Sequence, residues 1–140
     1  MAWTENIIYR EPGFELKVDR WDFPDEGVSC VWGKSGSGKT TFLQILAGLL
    51  KSPGFKLSVQ GQLISELTLG ARNVGFVFQD FALFPHMTVA ENMAFAGEAR
   101  GLDKSLTAER VAELARSLGL DAILNRKASV LSGGEQQRVA

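Results

Sequence analysis

The chain has 140 residues, of which 45% are hydrophobic and 22% charged, and these values predict one globular domain rather than a disordered or membrane-spanning chain. Its 15 basic residues nearly balance its 16 acidic ones, so charge gives no support for a nucleic-acid partner. The single cysteine, Cys30, excludes an intrachain disulfide and fits a reducing compartment. No apolar run reaches the roughly 18–20 residues that span a bilayer, so any membrane link must go through a partner.

The N-terminal third of the sequence has the patterns of strands. Residues 14–19, FELKVD, alternate apolar and polar side chains, which predicts a strand with one buried face. Turn residues follow at Pro24, Asp25 and Gly27. The apolar run VSCVW at 28–32 then predicts a short buried strand.

A glycine-rich loop and a helix follow this run. The helix is predicted from about Lys39 to Leu50, because apolar residues recur there at helical spacing, at Phe42, Ile45, Leu46 and Leu49. Further along, the segment around Gly61 is strand-like, and VGFVF at 74–78 is another candidate for a buried strand. The first half of the chain is therefore predicted to be β-rich, with one strand–loop–helix unit.

The second half of the chain reads as mostly helical. Thr88 and Glu91 have the spacing of a capping box and predict the start of a helix. A clearer helix is predicted to end at Gly119, after one apolar stripe formed by Val111, Leu114, Ala115 and Leu118. A second pair at capping-box spacing, Ser132 and Glu135, predicts a helix near the last residue.

The loop GKSGSGKT, Gly33 to Thr40, matches the P-loop pattern G-x-x-x-x-G-K-[ST] between a predicted strand and a predicted helix. Its glycines let successive N–H groups point at phosphate oxygens, Lys39 reaches the β- and γ-phosphates, and the Thr40 hydroxyl can ligate Mg²⁺. The alternative is a glycine-rich turn before an ordinary helix. The predicted nucleotide-binding residues of this segment are Gly33, Lys34, Ser35, Gly36, Ser37, Gly38, Lys39, Thr40 and Thr41.

Three motifs in this order, the P-loop, VGFVFQDFALFPHMTVAEN and LSGGEQQRVA, resemble the ATP-binding subunit of an ATP-binding cassette (ABC) transporter. The resemblance implies an α/β P-loop NTPase fold with a β-rich ATP-binding core at 1–79, a helical subdomain at 80–131 and the start of the signature helix at 132–140. It also implies ATP and Mg²⁺ as cofactors. The segment after residue 79 is more similar to importers than to exporters.

The resemblance also assigns roles to single residues. Gln79 matches the glutamine that reaches the Mg²⁺ and attacking water, so Lys39 and Gln79 are the expected catalytic residues and Thr40 and Gln79 the expected metal ligands. Ser132, Gly133 and Gly134 match the signature residues that contact the γ-phosphate of ATP held by the opposite subunit. An aromatic residue before the P-loop stacks on adenine in the family; Tyr9 is the nearest match and Phe14 the next, although either can equally be a packing residue.

The partners that the resemblance implies are transmembrane permease subunits and a second nucleotide-binding subunit, and nucleic acid is not among them. It also implies a cytoplasmic location, peripheral on the inner face of the cell membrane. Other P-loop classes fit less well: NRKA at 125–128 is not the base-reading NKxD of a GTPase, and residues 80–131 are too short for the coiled coils of DNA-repair relatives.

The sequence departs from the family after its signature motif. The Walker B strand with its paired acidic residues, the catalytic glutamate and the switch histidine are not found, and the last acidic residue is Glu135. We therefore expect the C-terminal part of the core sheet to be missing, Mg-ATP binding to be weakened and hydrolysis to be absent or very slow without another polypeptide. The alternative is a non-catalytic ATP-binding or interaction fragment that self-associates or pairs with a complementary chain.

Overall fold

The computed structural model describes residues 1–24 and 26–140, so the predicted turn residue Asp25 lies outside the described residues. These residues divide into two units, Met1–Phe76 and Val77–Ala140. The first unit contains one antiparallel sheet and one helix, and the second contains three helices. Among the described residues, no helix is both long enough and apolar enough to cross a bilayer.

The sheet of the first unit has four strands in the order β2-β1-β3-β4. Their bounds are β1 Ala2–Glu11, β2 Phe14–Phe23, β3 Lys56–Val59 and β4 Gln62–Leu63. The strand predicted at 14–19 is confirmed as part of β2, and the strand-like segment around Gly61 is the β3–β4 hairpin, with Gly61 in the turn at φ +80°. Strand β1 was not predicted from the sequence.

The buried positions of β1 switch from even to odd residue numbers inside the strand, so its sequence does not show the regular alternation of apolar and polar residues that predicts a strand. Ala2 and Thr4 are buried before Asn6, whereas Ile7 is buried and Tyr9 half-buried after it. Asn6 has φ +59°, a left-handed conformation that asparagine tolerates better than most residues. One face of β1 therefore uses even positions and then odd ones, which destroys the period of two in the sequence.

Helix α1, Lys39–Ala47, packs on the face of the sheet that carries Ile7. Phe42 and Ile45 are buried against Ile7, and the ring of Trp21 lies 5.4 Å from that of Phe42. The predicted helix at 39–50 is confirmed but ends earlier. Gly48 caps α1 in the left-handed conformation, φ +83°, and its N–H donates to two carbonyls of the last turn, so the helix cannot continue to Leu50.

The second unit is built from α2 Val89–Ala99, α3 Lys104–Leu118 and α4 Gly133–Val139. Two 3₁₀ turns, Asp121–Ile123 and Ala128–Val130, connect α3 to α4. The helices enclose one cluster of buried residues: Val89, Ala115, Leu120, Ile123, Ala128, Leu131 and Val139.

Both predicted capping boxes are present. The Thr88 hydroxyl accepts from the N–H of Glu91 at 3.2 Å, and the Glu91 carboxylate accepts from the N–H of Thr88 at 2.6 Å. The Glu135 carboxylate likewise accepts from the Ser132 hydroxyl at 2.7 Å and from the Ser132 N–H at 2.8 Å. These hydrogen bonds hold the pKa of each glutamate below its ordinary value. The largest cause is the Thr88 backbone N–H for Glu91 and the Ser132 hydroxyl for Glu135.

Two predictions of buried strands are wrong. Residues 28–32 and 74–78 form no strand, and Val28 and Trp32 are each 94% exposed. An apolar run becomes a buried strand only where neighbouring strands complete its hydrogen bonds and cover its faces. The sheet that the described residues form is made from other segments, so neither run has a place in it.

We predict that Asn6→Val destabilises the first unit by about 1–2 kcal/mol, because a β-branched residue is strained in the left-handed region. The matched control is Asn6→Gly, which adopts this conformation freely and should change the free energy of unfolding by less than about 1 kcal/mol. Urea unfolding followed by circular dichroism measures both. Equal destabilisation by the two variants would show that the asparagine side chain, not its backbone conformation, matters.

We also predict that the helical unit loses stability in acid. The folded pKa of Glu91 and Glu135 lies below the unfolded value, so their stabilisation is present above about pH 4.5 and is lost as pH falls through the folded pKa. The double variant Glu91→Gln/Glu135→Gln should show a shallower fall of the free energy of unfolding between about pH 5 and pH 3.

The control for this pH series is Glu109→Gln, which removes an exposed carboxylate of α3 outside both capping boxes. Urea unfolding of the three proteins at each pH gives the comparison. A double variant with the same pH slope as wild type and Glu109→Gln would contradict the assignment of this stability to the caps.

Candidate functional site

The P-loop in this structure is a tight turn whose lysine folds back over it. Gly36 and Gly38 have φ +78° and +90°, conformations in which other residues are strained. The ammonium of Lys39 donates to the carbonyl of Gly33 at 3.0 Å and to that of Lys34 at 2.8 Å. A positive charge therefore lies over the loop, where phosphate oxygens would replace or join these carbonyls.

Helix α1 begins in a way that suits an anion. Its N-cap, Gly38, makes no side-chain hydrogen bond to the helix, and its first turn holds no acidic residue. Each of the other three α-helices among the described residues is closed by a side chain of its own N-cap: Thr88, Asp103 and Ser132. The N–H groups and the positive dipole end of α1 are thus left for a ligand.

A close approach of β2 to the loop explains the glycine at the helix start. A Cβ on Gly38 would lie 2.8 Å from Cζ of Phe14 and 3.3 Å from Cδ1 of Leu16. Phe14 and Leu16 therefore occupy the space that a side chain at position 38 would need, and this close packing fixes the position of the loop. Next to it the side chain of Thr40 is exposed and that of Thr41 is half-buried. The donor groups in this loop fit a phosphate chain with a hydrated Mg²⁺.

The two aromatic candidates for adenine stacking have different surroundings. Tyr9 packs beside the cluster of Ile7, Phe42 and Ile45, and its hydroxyl donates to the carboxylate of Glu11. Phe14 instead lies against the P-loop at Gly38. The structure thus brings Phe14 into contact with Gly38, one of the predicted phosphate-binding residues.

Gln79 and the signature residues lie in the second unit. The side chain of Gln79 is exposed, and it is followed by Phe81 and Ala82 with φ +62° and +47°. Left-handed conformations at two consecutive non-glycine residues are uncommon and cluster at functional sites. The sequence gives no signal for this pair, because neither residue type favours the left-handed region.

The signature residues are exposed at the start of α4. The Ser132 hydroxyl donates to the carboxylate of Glu135 at 2.7 Å, and the N–H of Glu135 points back to it at 3.4 Å. Gly133 and Gly134 are both exposed, so their backbones are open to approach by another molecule. In this structure the hydroxyl of Ser132 is therefore engaged with its own helix.

Sequence reasoning missed Asn92. Its amide accepts from the N–H of Phe84 at 2.8 Å and donates to the carbonyls of Phe84 and Thr88 at 3.2 and 2.9 Å. Asn92 thereby fixes the turn that leads into α2. No local sequence pattern predicts this role, because only the folded turn brings Asn92 close to Phe84 and Thr88, which lie eight and four residues before it.

No group of three or more His, Cys, Asp or Glu side chains among the described residues is arranged to hold a metal ion. Mg²⁺ differs from Zn²⁺ in this respect, because it is commonly held by one or two protein groups together with phosphates and water. The hydroxyl of Thr40 beside the P-loop suits such a site.

The sequence is similar to known proteins over almost its whole length. A family model described as ABC transporter matches residues 16–140. The chain is 38% identical over 133 residues to the sn-glycerol-3-phosphate import ATP-binding protein of Jannaschia sp.. It is 42% identical over 132 residues to the molybdate/tungstate import ATP-binding protein of Pyrococcus horikoshii. These alignments cover 95% and 94% of this chain, but the chain spans only 38% of the length of either curated relative.

Solved structures agree with the family model. A dimeric ATP-binding cassette in a post-hydrolysis state bound to ADP and Pi matches with a TM-score of 0.81 and 27% identity. A second dimeric structure, of a bacterial ABC transporter cassette, matches with a TM-score of 0.80 and 28% identity. Each match covers 99% of this chain and 66% of the other. The chain therefore has the P-loop NTPase fold of these cassettes and belongs to the ABC transporter family.

Proposed function

We propose that this chain is the ATP-binding part of an ABC import system and that it binds Mg-ATP at residues 33–41. The observation that carries the proposal is the start of α1, where a glycine N-cap, a first turn without acidic residues and the Lys39 ammonium face the same place. These groups recognise a polyphosphate by charge and backbone donors.

The side chains of the loop have separate tasks in this proposal. Lys39 neutralises the β- and γ-phosphates, and the N–H groups from Gly36 onward hold their oxygens. Thr40 and Gln79 would hold Mg²⁺, and the ion would supply positive charge to stabilise the phosphate oxygens. Gln79 also orients the attacking water, since its amide both donates and accepts. An aromatic ring before the loop, Tyr9 or Phe14, covers the adenine.

A second cassette completes the site. We propose that Ser132, Gly133 and Gly134 contact the γ-phosphate of ATP held by the opposite subunit. Exposure of all three residues supports this, as do the dimeric cassettes that share the fold. Since the Ser132 hydroxyl already donates to Glu135, its contact with a phosphate requires that hydroxyl to turn away from the carboxylate.

The partners and the location follow from the relatives. The matched relatives are import ATP-binding proteins for sn-glycerol-3-phosphate and for molybdate or tungstate, which supports a role with transmembrane permease subunits. We place the chain in the cytoplasm, peripheral on the inner face of the membrane. We retain the functional division into an ATP-binding core at 1–79, a helical subdomain at 80–131 and the signature segment from 132.

We further propose that residues 1–140 by themselves bind ATP without hydrolysing it at a useful rate. Glu135 is the last acidic residue of this sequence, and its carboxylate is engaged in the cap of α4. Phosphoryl transfer needs carboxylates that hold Mg²⁺ and orient water. The alternative, a non-catalytic fragment that self-associates or pairs with a complementary chain, predicts binding without phosphate release in every mixture.

The first experiment measures binding of mant-ATP, a fluorescent ATP analogue, in the presence of Mg²⁺. Lys39→Ala should weaken binding about 10- to 100-fold, because hydrogen bonds from a charged donor contribute about 1.5–3 kcal/mol. Lys17→Ala is the matched control, since Lys17 is an exposed lysine of β2 whose ammonium lies 3.1 Å from a carboxylate oxygen of Asp19 at the surface. It should leave the affinity unchanged.

Phosphate release is measured on the same samples. Binding that depends on Lys39 without phosphate release supports a nucleotide site that residues 1–140 cannot use for catalysis alone. Phosphate release that disappears in Lys39→Ala would contradict the proposal that the missing carboxylates are needed. Equal binding by wild type and Lys39→Ala would remove the P-loop as the site.

We predict that Gly38→Ala weakens mant-ATP binding about tenfold or more, because the left-handed conformation costs an L-residue about 1–2 kcal/mol and the new Cβ meets the Phe14 ring. Gly13→Ala is the matched control: Gly13 has φ +81° in the β1–β2 turn, and among the described residues only its chain neighbours lie within 4 Å of its Cβ position. Both variants should lose stability, but only Gly38→Ala should lose affinity. Equal affinities would show that the loop tolerates displacement.

A further inference from the structure

The other end of α1 carries a charged contact that the proposed ATP site does not use. Arg72 is the last residue of the 3₁₀ turn Leu69–Arg72. Its guanidinium donates from Nε to the carbonyl of Leu67 at 3.1 Å and from Nη2 to the carbonyl of Ser65 at 2.8 Å. One planar side chain thus holds the segment 65–72 in a closed turn.

The third guanidinium nitrogen lies against the cap of α1. A Cβ built on Gly48 would lie 2.1 Å from Nη1 and 2.7 Å from Cζ of Arg72. Gly48 is the residue that ends α1, and its N–H donates to the carbonyls of Gln44 and Ile45. The guanidinium therefore lies at the negative end of the α1 dipole, in space that only glycine leaves open.

Burial of the Arg72 guanidinium carries a free-energy cost. Nη1 of Arg72 is buried and has no hydrogen-bond partner among the described residues. A buried donor without an acceptor costs free energy, which offsets part of what the hydrogen bonds to Leu67 and Ser65 contribute. The charge at this position is better explained by what it does to α1 than by its contribution to packing.

We propose that Arg72 is a positioning residue for the P-loop, which it serves by clamping the C-terminal end of α1 to the segment 65–72. The proposal rests on the proposed ATP site at the N-terminal end of the same helix. Nine residues of α1 span only about 13 Å, and backbone hydrogen bonds from each turn to the next connect its two ends. Fixing Gly48 therefore also fixes the direction of the N–H groups and of Lys39.

The packing of α1 gives the clamp its effect. Phe42 and Ile45 hold the middle of the helix on the sheet, whereas Gly38 is placed by Phe14 and Leu16. If the end at Gly48 is released, a tilt of the helix is opposed only by its buried middle and by the contact of Gly38 with Phe14 and Leu16. A tilt displaces the first-turn donors, and ligand contacts lose strength steeply with small displacements.

The test measures the Kd of mant-ATP with Mg²⁺ well below the unfolding temperature. Arg72→Met removes the charge and keeps much of the volume, and Gly48→Ala places a methyl group against Nη1. Each should weaken binding about 3- to 10-fold. The matched control is Gly119→Ala, which changes the left-handed cap of α3, φ +65°, where no described residue other than the chain neighbours lies within 4 Å of the new Cβ.

The double variant Gly48→Ala/Arg72→Met distinguishes loss of the contact between Gly48 and the Arg72 guanidinium from a general loss of stability. The methyl group at 48 meets no guanidinium when Arg72 is replaced, so its additional effect on Kd should be smaller than in the wild-type background. Additive effects of the two substitutions on Kd would overturn the proposal. So would an unchanged Kd in both single variants with only a lower unfolding temperature.

A measurement on wild type does not depend on whether the variants fold. Mg-ATP binding should slow amide hydrogen exchange both in the P-loop and in residues 65–72, because coupling between two sites is reciprocal. Protection of the P-loop without protection of 65–72 would overturn the clamp while leaving the ATP site intact. No binding of mant-ATP to wild type would instead contradict the proposed function itself.

Discussion

The start of α1 is the constraint on which the candidate site depends. Gly38 turns left-handed, makes no side-chain cap and lies against Phe14, so backbone donors, together with the Lys39 ammonium, define the proposed anion position. The positions of these backbone N–H groups depend on how firmly the surrounding strands and helix are packed. The β1–β2 hairpin and the buried contact of Ile7 with Phe42 and Ile45 supply this precision in the first unit.

Much of the structure could be predicted because the relevant signals are local. The capping boxes at Thr88 and Ser132 and the left-handed glycine after α3 are properties of a few consecutive residues, and all are confirmed. The α/β P-loop fold is confirmed for the same reason, since the motif GKSGSGKT specifies its own turn and helix. The roles of Gln79 and of the signature residues stay predictions.

What could not be predicted depends on distant contacts or on a broken period. Strand β1 is hidden because Asn6 changes which positions are buried. The run at 28–32 has the composition of a buried strand, but composition does not show whether a neighbouring strand exists to receive it. Arg72 and Asn92 bond to backbone carbonyls whose positions only the folded chain determines.

The left-handed residue in β1 also bears on how the sheet avoids mispairing. Strand pairing stops at Glu5 with Arg20 and resumes at Ile7 with Val18, so the kink occurs at one position of the hairpin only. A slip by one residue would place Asn6 opposite a different residue of β2 and expose the buried face. Strand β2 is an edge of the sheet, and its charged side chains make it a poor template for a foreign strand. The asparagine of β1 thus favours one register, while the charges of β2 discourage aggregation at this edge.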